Sequence, residues 1–213
     1  MNSIPLEHFQ EALTQANDFY PSGFSKEQLE VFGRYYELVL KWNDRLHLTT
    51  LTSPTDFAVR HILESSFAVP SLLPCIRKIV DLGSGCGIPA IPIAILRPDL
   101  AVTLVEVNKK KAIFLKEVAE SLGINHLKIL NQRFETIDGI EQDVCVTLRA
   151  LDKISQMVPE IMSLGQHGGQ YLFFGNEKLH EKIQISLPPD WECAAHSIPS
   201  TNSRLLIALS RST

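Results

Sequence analysis

The sequence has few of the features that mark several protein classes. Its four cysteines, Cys75, Cys86, Cys145 and Cys193, form no Cys-x-x-Cys pair. That spacing excludes the common zinc and dithiol motifs, and four reduced, mostly buried thiols with no metal site are expected. No apolar run approaches the roughly 20 residues that a membrane-spanning helix needs. The first eight residues, Met1 to His8, lack a basic segment followed by an apolar one. Neither a secretory signal nor a membrane partner is therefore expected, and the expected location is cytoplasmic. Charge of one sign is also missing: 20 Lys+Arg face 24 Asp+Glu, a formal net charge of -4. This excludes nucleic-acid binding through global charge but leaves room for a local basic patch. Repeats, low-complexity tracts and long linkers are absent. With 45% hydrophobic residues, the 213-residue chain reads as a globular monomer with a full core.

Two textures are present. Residues 1–75 read as a helical extension. Ser25 with Gln28 three residues later forms a capping box. Leu29, Phe32, Tyr36, Val39, Leu40 and Asn43 follow at spacings of three and four, which predicts a helix to Trp42 or Arg45. Ser53-Pro54 opens another helix, with Asp56 in its first turn. Residues 76–213 read as an α/β domain. Apolar runs at 79–82, 101–105, 127–130, 144–147, 170–174, 191–196 and 204–210 predict strands. Helices are predicted at 88–96, 109–122 and 153–163. The alternation predicts a mostly parallel sheet covered on both faces, with the last two strands pairing antiparallel at one edge.

The most informative segment is Val80-Asp81-Leu82-Gly83-Ser84-Gly85-Cys86-Gly87-Ile88-Pro89, between the first strand and the first helix of the sheet domain. In such sheets ligands bind beyond the carboxyl ends of the strands. The spacing is Gly-x-Gly-x-Gly, not the Gly-x-Gly-x-x-Gly of dinucleotide enzymes, and no Lys-Ser or Lys-Thr follows as in a P-loop. Glu106, ending the second strand, stands where an acid accepts both ribose hydroxyls of an adenosine-bearing cofactor. No metal is implied.

These residues resemble the S-adenosylmethionine-binding fingerprint of Rossmann-like methyltransferases. A narrower resemblance comes from Trp42-Asn43, Leu48-Thr49, Arg60-His61-Ile62-Leu63-Glu64-Ser65, the stretch Asp81 to Pro89, Lys111 to Leu115 and Arg149-Ala150, in that order. Over about Gln28 to Arg211 the chain is similar to the bacterial glucose-inhibited division protein B family, guanine-N7 methyltransferases of small-subunit ribosomal RNA. The resemblance implies a seven-stranded, S-adenosylmethionine-dependent methyltransferase with the helical extension packed on it. It implies cofactor contacts from Asp81, Gly83, Ser84, Gly85, Gly87, Ile88, Glu106, Phe134, Glu135 and Arg149, with Phe134 beside the adenine. Arg149 is expected beside the transferred methyl, as the catalytic residue. The implied partner is small-subunit ribosomal RNA or an assembling small subunit, contacted by Arg60, His61, Lys109, Lys110 and Lys111. Departures exist: Cys86 replaces a frequent Pro, Ala90 a common Gly, Glu64 an Asp, and Gly175 a Lys, whose contact is then either missing or supplied elsewhere, with Lys178 as the candidate.

Guanine N7 has an in-plane lone pair and loses no proton on methylation, so no general base is nominated. Two other readings share the cofactor residues: a methyltransferase of a small molecule or protein, and a cofactor- or RNA-binding relative without turnover. The charge is uneven. Residues 1–75 hold five Lys+Arg against nine Asp+Glu, residues 76–150 ten against nine, and residues 151–213 five against six. RNA recognition through a small patch and shape is expected.

Overall fold

The computed structural model describes residues 4–14, 20–137, 140–149, 154–164, 169–199 and 203–211. Its strands are β1 (Lys78–Leu82), β2 (Ala101–Val105), β3 (Leu127–Leu130), β4 (Val144–Arg149), β5 (Gln170–Gly175), β6 (Trp191–Ser197) and β7 (Leu205–Arg211). They form one sheet in the order β3-β2-β1-β4-β5-β7-β6. The pairings among β1 to β5 are parallel, and β7 runs antiparallel to both β5 and β6. The expected antiparallel pairing of β6 with β7 is present, but β7 slots between β5 and β6. Burial explains the choice: β7 buries Leu205, Leu206, Ile207 and Leu209, whereas β6 is exposed along most of its length and suits an edge.

On one face lie α1 (Ile4–Thr14), α2 (Lys26–Leu46), α5 (Ala90–Leu96) and α6 (Lys109–Leu122). The Ser25 capping box forms as the sequence predicts. Ser25 Oγ accepts the Gln28 N–H at 3.2 Å, and Gln28 Oε1 accepts the Ser25 N–H at 2.9 Å. Phe32, Tyr36 and Val39 of α2 are buried, while Asn43 is a pin more than a core residue. Its side chain donates to Thr49 O at 3.0 Å and accepts the Thr49 N–H at 2.9 Å. The chain after α2, which ends at the left-handed His47, is thus folded back onto the helix.

A short helical segment joins the extension to the sheet: α3 (Pro54–Phe57), a π-helical turn (Ala58–Leu63) and α4 (Glu64–Ser66). Ser53 Oγ caps it by accepting the Asp56 N–H at 3.1 Å. The π turn, which the apolar spacing does not announce, adds a residue to the ladder and re-aims the side chains beyond it. Two tyrosines of α2 tie these parts together. Tyr35 Oη donates to Cys86 O at 2.6 Å and Tyr36 Oη to Thr52 O at 2.8 Å. Each such bond contributes about 0.5–1.5 kcal/mol net. The glycine loop is therefore held in part by the extension.

The opposite face is covered by α7 (Ile154–Ser163) and α8 (Glu177–Ser186), with Val158, Ile161, Leu179 and Ile183 in its core. The apolar spacing does not reveal α8, because only Leu179 and Ile183 carry its buried stripe. Lys153 and Ala150 lie outside the described residues. Fewer thiols are buried than expected: Cys86 and Cys145 are inside, Cys193 is half-buried and Cys75 exposed. No described helix is long and apolar enough to cross a membrane, and no group of three or more described His, Cys, Asp or Glu residues could hold a metal ion.

Candidate active site

A cavity of about 1090 Å³ opens at the carboxyl edge of the parallel strands, where this topology places ligands. Arg60, His61, Gly83, Ser84, Gly85, Ile88, Glu106, Lys111, Phe134, Glu135 and Arg149 line it. Those residues come from six separate parts of the chain. The volume exceeds what one drug-sized ligand fills.

At one end stand the loop and the acids. Gly83 and Ser84 donate their N–H groups to Val105 O at 2.9 and 3.1 Å. Glu106 is held by two backbone donors: Oε2 accepts the Gly85 N–H and Oε1 the Asn108 N–H, both at 2.8 Å. Each carboxylate oxygen keeps one further lone pair, so the group retains capacity for a pair of hydroxyls. Asn131 Nδ2 donates to Glu106 O at 2.7 Å and braces the strand end. Glu135 accepts from Arg133 Nη2 at 2.6 Å, and half-buried Phe134 offers an apolar surface. Gly85 has φ +58, and a Cβ there would meet nothing nearer than Gly83 O at 3.8 Å. The protein thus leaves open the space beside its loop. An apolar ring surface, a hydroxyl acceptor and an open backbone cradle fit an adenosine-bearing cofactor.

Four expected site residues do not line the cavity. Asp81 lies beneath the loop, where its Oδ1 accepts from Thr147 Oγ1 at 2.6 Å. Burial raises its pKa to about 7, against the lowering effect of that hydrogen bond. It is better described as a support of the loop than as a cofactor contact. Gly87 (φ +94) faces inward, and a Cβ there would collide with Ile91 and crowd Leu115. Its glycine is required by helix packing. Lys109 and Lys110 are exposed beyond the rim, with Asn108 Oδ1 capping α6 by accepting the Lys110 and Lys111 N–H groups.

The other end is built on one carboxylate. Glu64 is fully buried and contacts three guanidinium groups: Arg60 Nε at 2.5 Å, Arg149 Nη2 at 2.9 Å and Arg204 Nη2 at 3.1 Å. Arg149 Nη2 also donates to Arg60 O at 2.6 Å, and its guanidinium carbon lies 5.7 Å from the centre of the Phe174 ring. Its side chain is 7% exposed. Burial lowers the Arg149 pKa to about 10, with Glu64 acting in the opposite direction. His61, expected to meet RNA, is buried, and its Nε2 lies 2.8 Å from Thr49 Oγ1. Burial, then the Arg149 charge, lowers its pKa to about 3. It is a buried ring on the cavity wall, beside Arg60.

The cavity wall also holds His47, Thr50, Gln132, Arg133, Met157 and Arg204, with Tyr35 behind it, none of which the sequence motifs single out. The one signal for Arg204 was an isolated cation directly before an apolar strand. Gly175 explains its own departure: a Cβ there would lie 2.5 Å from Leu179 Cδ2 and 3.2 Å from Leu179 Cβ. A larger residue there requires the Leu179 side chain to shift. The cation at this end of β5 comes from Arg204, whose neighbour Leu205 pairs with Gly175. Lys178 is exposed on α8 and does not line the cavity.

The strand order, the antiparallel β7 and the glycine loop with its strand-end acid define a Rossmann-like methyltransferase of the S-adenosylmethionine-dependent class. The fold is shared with the ribosomal protein L11 methylase from Lactobacillus delbrueckii subsp. bulgaricus, at TM-score 0.56 and 15% identity, covering 72% of this chain and 79% of that one. It is shared also with the 23S rRNA methyltransferase ErmE, at TM-score 0.53 and 14% identity, covering 70% and 67%. The chain belongs to the GidB family, rRNA small subunit methyltransferase G, whose family profile matches residues 28–196. The ribosomal RNA small subunit methyltransferase G of Xylella fastidiosa (strain M23) is 38% identical over 157 residues, 74% of this chain and 73% of the relative. That of Chromobacterium violaceum is 33% identical over 177 residues, 83% of each.

Proposed function

We propose that this protein transfers the methyl group of S-adenosylmethionine to N7 of a guanine in small-subunit ribosomal RNA, in the cytoplasm. The observation that carries the reading is one cavity uniting the glycine loop and Glu106 at one end with Arg149 at the other, in a member of this family. Gly83, Gly85 and Glu106 hold the cofactor, with Ser84, Ile88, Phe134 and Glu135 around it and Arg149 meeting it at the methyl-bearing end. When bound, the cofactor supplies an electrophilic methyl group on a positively charged sulfur.

The chain's own task is alignment. Guanine N7 attacks with its lone pair and sheds no proton, so no side chain acts as a base. Holding reacting atoms in line about 3–3.5 Å apart supplies roughly 7–11 kcal/mol of the barrier reduction in favourable cases. The attacked base becomes positively charged, so a cation against N7 itself would oppose the reaction. Arg149, tied to Glu64 and Arg60 O, is restrained from swinging onto N7, and its place is the O6 edge or a phosphate. His61, being neutral, and Thr49 approach the base without adding charge. Lys111, on the rim, contacts the RNA backbone. Residues 1–75 act as the helical unit that completes the wall, and residues 76–213 as the cofactor-binding domain.

The test is a nucleotide map of N7-methylguanine in small-subunit RNA from cells with and without this protein. Loss of one methylated guanine is expected. An unchanged map overturns the reading.

A further inference from the structure

We infer that the Arg60–Arg149–Arg204 cluster on Glu64 is a pre-organised oxyanion subsite that grips a phosphodiester of the RNA strand beside the target guanine. The inference rests on the function proposed above and specifies where the backbone is held.

Charge is the first support. Three guanidinium groups share one carboxylate, an excess of two positive charges at the cavity wall. Among the described residues, Glu64 is the carboxylate that acts most strongly on Arg149 and Arg204. Donor number is the second. A carboxylate offers about four lone pairs, whereas each guanidinium carries five N–H groups. Nη1 of Arg149 and Nε of Arg60 and Arg204 make no hydrogen bond among the described residues, and Glu64 meets the three guanidinium groups as ion pairs. Buried donors of that kind are costly unless a ligand supplies the acceptor. Geometry is the third. Glu64 and Arg60 O hold the Arg149 fork rigid, while Arg60 and Arg204 remain 34% and 26% exposed. A braced planar fork with two more exposed arms suits the tetrahedral oxygens of a phosphate.

Position decides the source of the oxyanion. Along the sheet edge the order is β2 with Glu106, β1 with the glycine loop, β4 with Arg149, then β5 and β7 with Arg204. Neighbouring strands stand about 4.8 Å apart, so the cluster begins roughly 10 Å from the Glu106 strand and extends away from it. The cofactor's own carboxylate is the other possible oxyanion, but it belongs near the glycine loop. Arg149 stands nearest that loop, where its charge acts on the Cys86 thiol, and the more exposed Arg60 and Arg204 are the arms left for the acceptor strand.

The test uses the purified full-length protein, a small-subunit ribosomal RNA fragment and R204Q, R204K and R60Q variants. RNA affinity is measured by anisotropy across about 50 to 200 mM salt, where each neutralised phosphate of a single strand adds about 0.7 to the slope of log K against log[salt]. Cofactor-site affinity is measured by calorimetry with S-adenosylhomocysteine and with 5′-methylthioadenosine, which lacks the carboxylate. R204Q and R60Q are each expected to lower the slope by about 0.7 and weaken RNA binding about tenfold. R204K should keep the slope, and both nucleosides should bind as to the wild type. Agreement of R60Q with R204Q guards against one poorly folded variant. An unchanged slope in both glutamine variants overturns the inference. So does a selective loss of S-adenosylhomocysteine affinity, which would give the subsite to the cofactor. Wild-type protein that binds S-adenosylhomocysteine but no RNA overturns the RNA reading itself, and this assignment with it.

Discussion

The two ends of the cavity are stabilised in opposite ways. At the glycine-loop end, Glu106 is oriented by the backbone N–H groups of Gly85 and Asn108. At the far end a buried acid is held by three cations drawn from positions 60, 149 and 204. The first end is built within one strand–helix–strand passage and the turn at Phe134, and leaves its acceptors available. The second is assembled from distant segments and leaves its donors available. Acceptors suit the hydroxyls of an adenosine, and donors suit an RNA phosphate. The same contrast explains why the extension matters: Glu64 and Arg60 come from its helical segment, so the cation-rich end exists only when the extension is docked.

Breaking the contrast at its charged centre should have the largest effect. Glu64→Ala leaves three crowded arginines without their carboxylate, and loss of about 3–5 kcal/mol of stability is expected in urea unfolding. A loss below about 1 kcal/mol would show that solvent already screens the cluster. Next, Arg149→Ala should lower methyl transfer by about two orders of magnitude, the cost of misplacing a reacting group. Its calorimetric cofactor affinity should stay within a few-fold of the wild type. Equal losses in both would refute the division between the ends. Glu106→Gln tests the opposite end. It removes an acceptor worth about 1.5–3 kcal/mol, so cofactor affinity should fall about 10- to 100-fold. Its RNA salt slope should not move.

The remaining test uses the pH dependence of stability, where each step of one pH unit is a small effect. His61 titrates near 3 in the folded protein and near 6.5 when unfolded. Between those values the unfolded chain binds a proton that the native one refuses, so stability falls as pH drops through that window. Asp81 has the reverse sign. Its pKa is about 7 when folded, against 3.8 for an unperturbed aspartate. Its contribution is full below pH 3.8 and is lost as pH rises toward 7. Each slope is at most about 1.4 kcal/mol per pH unit. His61→Asn should remove the first trend and Asp81→Asn the second, measured by urea unfolding across pH. Variants with the wild-type profile would contradict the burial of these groups.

Much of the fold and the loop end was legible because it is written locally. The capping box, seven apolar runs and the Gly-x-Gly-x-Gly loop with its acid 23 residues after Gly83 are read from short stretches of sequence. The insertion of β7 beside β5 was not, since alternation specifies strands and not their order. Glu64 reads in sequence as an ordinary helical acid. Only the π turn and two cations 85 and 140 residues away make it a buried hub. Asp81 and Gly87 were located correctly but given a ligand role, because a motif records which residues recur near a cofactor and not which face they turn to it. The acid excess of the first 75 residues likewise hides that this extension supplies half of the cation-rich end.

The most direct test is methyl transfer by the purified protein from isotope-labelled S-adenosylmethionine to small-subunit ribosomal RNA, with the product digested to nucleosides. Label in 7-methylguanosine is the expected result. Label in any other nucleoside, or none from protein that binds the cofactor, would contradict a guanine-N7 methyltransferase.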